Sequence, residues 1–123
     1  MRNRFTIVLL FFINIGFAQN FSISKIIYND QELKLKGSIK LTDNLISITS
    51  NELVDTYEIR KVYESGDVKQ FKGNGIGEDT TIRVTLKKPE IPTKQKPITL
   101  LYETKDTFSN TYIKILYFLK EQQ

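Results

Sequence analysis

The sequence predicts an all-β fold, an antiparallel meander of seven or eight strands that forms either a β-sandwich or a small barrel. Apolar residues recur at every second position along most of the chain, the period of a strand with one buried face. Turn signals rich in Gly, Asn, Asp and Ser separate these runs at short intervals. The chain also lacks Cys, so no disulfide can staple it. Apolar burial and a hydrogen-bonded sheet must carry its stability.

The elements follow in order. FSISKIIY, beginning at Phe21, is the first strand. LKLKGSIKL then places Leu33, Leu35, Ile39 and Leu41 on one face, with lysines and Ser38 on the other. Asp43-Asn44 precedes LISIT. A two-residue turn there sets Leu41 opposite Ile46 and Ile39 opposite Ile48, and both turn residues tolerate the positive φ of a type I′ hairpin. TYEIRKVYESGDVKQFKG reads as a second hairpin around Ser65-Gly66-Asp67. Its apolar residues Tyr57, Ile59, Val62, Val68 and Phe71 change parity partway, and a bulge near Arg60 or Lys61 reconciles them. In TTIRVTLK, Ile82, Val84 and Leu86 point inward while Arg83, Thr85 and Lys87 point outward. ITLLYET and TYIKILYFLK complete the series. The last carries Ile113, Ile115, Tyr117 and Leu119 on one face and Tyr112, Leu116 and Phe118 on the other, the pattern of a central or covered strand.

All prolines fall in KKPEIPTKQKP, where they remove donors and fix φ as no central strand accepts. This is the longest connection, and Lys87, Lys88, Lys94 and Lys96 face a single acid, Glu90. It reads as a solvated, semi-rigid crossover or as a contact loop for an anionic partner, an envelope polysaccharide or a lipid headgroup.

The chain begins with Arg2 and Arg4 ahead of an apolar run from Phe5 to Phe17 broken only by Thr6, Asn14 and Gly16. Small residues at Gly16 and Ala18 complete the order of a secretory signal. Residues 1–18 are therefore expected to be a signal peptide cut between Ala18 and Gln19, leaving 19–123 as one all-β domain. The run is shorter than the roughly 20 apolar residues that span a bilayer. No transmembrane span is expected after its removal, and the chain is expected to be exported, periplasmic or secreted. The edge FAQ and the Lys-, Ile-, Asn- and Tyr-rich composition resemble small exported proteins of the Bacteroidota type.

Cleavage lowers Lys plus Arg from 18 to 16 against 14 acids, so the net charge falls from +4 to about +2. Lysines spread among acids do not make the concentrated basic face of a nucleic-acid binder. The domain from Gln19 onward has no His, Cys, Trp or Met. Imidazole and thiolate metal sites and Cys or His nucleophile pairs are therefore excluded.

Weaker patterns remain. GNGIGED, residues 73–79, lacks dinucleotide-fingerprint spacing and reads as a hairpin loop, with Glu78 and Asp79 as a calcium alternative. Ser22 and Lys25 have the S-x-x-K spacing of some acyl enzymes, but an odd separation in a strand puts them on opposite faces. Asp55 with Glu58, and Glu64 with Asp67, read as surface carboxylates rather than a glycosidase pair. Asp79-Thr80-Thr81 resembles the Bacteroidota O-glycosylation acceptor, with Thr80 as the acceptor; Asp55-Thr56-Tyr57 and Asp106-Thr107-Phe108 match more loosely.

The expectation is an exported, non-catalytic β domain, a binding or structural module of the envelope with no cofactor, meeting an envelope protein or an anionic polysaccharide. The alternative is a small-ligand carrier in which Phe71, Tyr102 and Tyr117 line a barrel pocket.

Overall fold

A computed structural model describes residues 19–75, 81–105 and 112–122. The strands are β1 (Gln19–Tyr28), β2 (Gln31–Leu33), β3 (Gly37–Leu41), β4 (Leu45–Ser50), β5 (Leu53–Ser65), β6 (Val68–Gly75), β7 (Thr81–Lys87), β8 (Ile98–Lys105) and β9 (Tyr112–Glu121). β1 pairs antiparallel with β2, β3 and β9, and from β3 to β9 each strand pairs antiparallel with the next. Eight strands thus close into a barrel, with β2 as an extra piece along the edge of β1. Between the sandwich and the barrel that the alternation allowed, the chain takes the barrel. Closure gives both edges of β1 a partner and removes the exposed edges an open sheet would carry.

The interior is built by the alternation. Phe21, Ile39, Ile46, Val84, Leu86 and Leu100 are almost wholly buried, joined by Ile23, Ile26, Leu41, Ile48, Ile59, Ile82, Ile98 and Leu119. The hairpin opposing Leu41 to Ile46 and Ile39 to Ile48 has the expected register. Its turn is a correction. Neither Asp43 nor Asn44 has a positive φ. Thr42 holds the turn instead: its amide donates to the Leu45 carbonyl at 2.9 Å, and its hydroxyl accepts from the Leu45 amide at 3.0 Å. The left-handed pairs lie elsewhere, at Asn29-Asp30 and Asn51-Glu52, where two residues separate Tyr28 from Gln31 and Ser50 from Leu53. Both are type I′ turns. At Gly66-Asp67 only Gly66 is left-handed, with φ of 57°, as in a type II′ turn.

The parity change in the long hairpin is resolved by a bulge at Val62, since Lys61 faces Phe71 and Tyr63 faces Gln70. The bulge lies one residue beyond the expected Arg60 or Lys61. LKLKGSIKL does not form one strand: Lys34–Lys36 leave the ladder, Leu33 is 37% exposed, and only Ile39 and Leu41 are core. The break lies opposite the point in β1 where the register against β9 slips at Ser24. The Ser24 hydroxyl donates to the Phe118 carbonyl at 3.0 Å. That bulge also corrects the placement of Ser22 and Lys25. Both lie off the inward face, yet Lys25 meets Glu32 at 3.8 Å and sits 4.3 Å above the Phe118 ring, so no serine–lysine pair forms.

The Pro-rich connection joins the adjacent strands β7 and β8 at one rim, where a Thr93–Lys96 turn closes by a 3.0 Å backbone hydrogen bond.

Candidate functional site

Pairing fixes which side chains meet on the outside of the wall. Across β5 to β9 the register runs Arg60 to Lys72, Lys72 to Arg83, Arg83 to Glu103 and Glu103 to Lys114. These residues sit at the out-of-phase positions of strands whose in-phase members, among them Ile59, Phe71, Ile82, Val84 and Tyr102, fill the interior. The next row runs Glu58, Asn74, Thr81, Lys105 and Tyr112. Adjacent strands lie about 4.8 Å apart, so the first row covers about 19 Å of wall.

The row is strongly positive. Glu103 meets Lys114 at 3.8 Å, and the Lys105 ammonium lies 5.6 Å from the centre of the Tyr112 ring. Among the described residues, Arg60, Lys72 and Arg83 enter no ion pair. A groove of about 450 Å³ lies against Lys72, Arg83, Glu103, Lys105, Tyr112 and Lys114. A second, of about 420 Å³, continues it beside Glu58, Arg60, Lys72 and Asn74.

The sequence-derived candidates fall elsewhere. At the far rim Lys88 is held by Glu121 at 2.5 Å, and Glu64, Asp67 and Glu90 share that rim groove with Lys69. Lys87 ends β7 on the outer face opposite Val68 and Thr99, and Lys94 and Lys96 are exposed in the Pro-rich connection. Gln19 starts β1 opposite Leu41. Ala18, Thr80, Glu78, Asp79 and the Asp106-Thr107-Phe108 motif lie outside the described residues. Thr56 hydrogen bonds to Ser47 at 3.2 Å across β4 and β5. Asp55 and Glu58 take opposite faces, Asp55 beside Ile48 and Glu58 beside Leu45. Among the described residues no cluster of acids is arranged to hold a metal ion.

Phe71, Tyr102 and Tyr117, the pocket residues of the carrier reading, are 3%, 8% and 6% exposed and belong to the core. Tyr102 donates to the Tyr57 hydroxyl at 3.1 Å, and their rings are tilted with centroids 5.7 Å apart. The Tyr117 phenol is pushed up to about 12, first by burial and then by Tyr102 and Asp55. An unfolded tyrosine ionises near 10, so the folded chain holds this proton more tightly. Its stabilising effect is therefore complete below about pH 10 and is lost as the pH climbs to about 12, by on the order of 2 kcal/mol. Urea midpoints measured from pH 9 to 12 should fall in the native chain and flatten in Tyr117→Phe. An unchanged decline in the variant would assign the effect to other groups.

Fold and site together define a closed antiparallel barrel with a filled interior and a basic outer wall. No protein-family model matches the chain, and neither a curated protein nor a solved structure matches it significantly.

The basic wall escaped the sequence reading because Arg60, Lys72, Arg83 and Lys114, with Lys105 in the next row, are scattered over five strands. Lys87 to Lys96 attracted notice only by being close in sequence. The signal available was that the outward positions of successive alternating runs carry cations, which has meaning only once a register joins them.

Proposed function

We propose that the chain is an exported, non-catalytic β-barrel that acts by surface contact with an anionic component of the cell envelope. The filled interior carries this reading. With Phe71, Tyr102 and Tyr117 packed into the core beside Phe21 and Leu100, the volume a carrier would offer is occupied by the protein itself. Chemistry is left to the outer wall, where among the described residues Arg60, Lys72 and Arg83 enter no ion pair.

Two further features support the reading. Among the described residues the buried side chains are apolar apart from Thr85, while Arg60, Lys72, Arg83 and Lys114 are exposed on the outer wall, the reverse of a bilayer-spanning barrel. The sequence from Gln19 onward holds no His or Cys with which to build a nucleophile pair.

The test is isolation of the tagged protein from its own host. An intact mass matching residues 19–123, recovered from the envelope fraction with a bound component released by salt, is the expected result. Recovery from the cytosol with residues 1–18 attached would overturn the proposal.

A further inference from the structure

The row Arg60–Lys72–Arg83 has a physical peculiarity. Like charges placed directly opposite on neighbouring strands repel, and such pairs destabilise a sheet. Further along the same row the sequence avoids this, with Glu103 between Arg83 and Lys114. Packing does not require three successive cations, since all three side chains are exposed and turn away from the core. Their arrangement is compensated when an anion lies across them.

We propose that the outer wall of β5 to β9 binds a linear anionic polysaccharide, one bearing carboxylate or sulfate groups along its length. The inference rests on the surface-contact reading above and names the partner class of that surface. Three observations select a saccharide. The cations are spread over about 19 Å in an open groove, which suits charges distributed along a chain better than a single compact phosphate. Both edges of β6, β7 and β8 are already paired, so an acidic peptide cannot join the wall as an added strand, and recognition falls to side chains. Tyr112, 63% exposed, offers its ring beside Lys105 at the margin of the groove. That ring can lie under the C–H face of a sugar while lysine and arginine hold its acid group.

Affinity electrophoresis of the purified mature chain tests this, with polygalacturonate in the gel and with neutral dextran and poly-L-glutamate as comparisons. Retardation by polygalacturonate that weakens with salt, with none in dextran and less in polyglutamate, is expected. Lys72→Glu with Arg83→Glu should weaken it more than about tenfold. The neutral pair Lys72→Gln with Arg83→Gln should weaken it less, and Lys94→Glu with Lys96→Glu should leave most of it intact. Tyr112→Ala should reduce retardation by polygalacturonate without changing that by polyglutamate. Urea midpoints establish that each variant is folded.

The inference is overturned if the folded native chain migrates unretarded, if polyglutamate retards it equally, or if both charge-reversed pairs weaken binding alike. An envelope component captured from the host but not displaced by polygalacturonate would overturn this inference alone. The broader surface-contact reading would then stand.

Discussion

Phe21→Ala is expected to destabilise the barrel by about 3–5 kcal/mol, the range for removing a buried aromatic ring. Phe21 is fully buried and stands at the seam where β1 joins both neighbours, opposite Ile39 on β3 and Glu121 on β9. Truncation therefore does two things at once. It opens a cavity that rigid strands on either side cannot collapse to fill, and it loosens the contact that closes the sheet on itself. A domain of this size has about 5–15 kcal/mol of stability in total, so the loss takes a large share. Urea unfolding followed by circular dichroism measures it as a lowered midpoint. Phe118→Ala, which removes a half-buried ring on the outer face, provides the comparison and should cost markedly less. Equal losses at the two positions would mean that the interior is not packed as a core.

The same seam shows what could be read in the chain and what could not. Alternation is a local property, and it located the strands and paired Leu41 with Ile46 correctly. A change of phase is also local, which is why the bulge at Val62 could be anticipated from Ile59 and Phe71 to within a residue or two. The break at Lys34–Lys36 could not, because Leu33 and Leu35 keep perfect alternation through it. It lies opposite a bulge at Ser24 in the pairing of β1 with β9, the far end of the chain. Turn chemistry was legible in kind but not in place. Asp43-Asn44 has the right residues for left-handed φ, yet a threonine hydroxyl offered a competing hydrogen bond, while Glu52 accepts a φ of 72° that its side chain does not favour.

For the candidate site the gap is wider. A surface row perpendicular to the strands draws one residue from each of five segments, and its successive members are 11 to 20 residues apart along the chain. Arg60 and Lys114 meet one groove system only because four registers hold between them. A slip of one residue in any pair would send the next cation inward. Basic character at the outward positions of β5, β6, β7 and β9 was present in the sequence, but the sum over strands was not.

Those registers depend on a close approach between β5 and β6, and Gly73→Ala is expected to disrupt it at a cost of about 3 kcal/mol, the upper part of the range for overpacking. A Cβ at Gly73 would lie 2.0 Å from the Glu58 carbonyl oxygen and 2.8 Å from Cγ2 of Ile59. The isoleucine can rotate, but the carbonyl belongs to the ladder and moves only if the strands part. Gly73 faces Ile59 and Ile82 on its neighbours, so the displacement reaches the core as well as the pairing. It also lies next to Lys72, whose alignment with Arg60 and Arg83 forms the basic row. The variant should therefore lose affinity for polygalacturonate together with stability, whereas Lys72→Gln with Arg83→Gln should lose affinity alone. Gly66→Ala isolates the other role of glycine: its φ of 57° strains an alanine but nothing lies within 4 Å of the new methyl. Its expected cost is about 1 kcal/mol, from the left-handed backbone only. If Gly73→Ala proves as mild as Gly66→Ala, β5 and β6 approach less closely at Gly73 than its 2.0 Å Cβ contact with the Glu58 carbonyl implies.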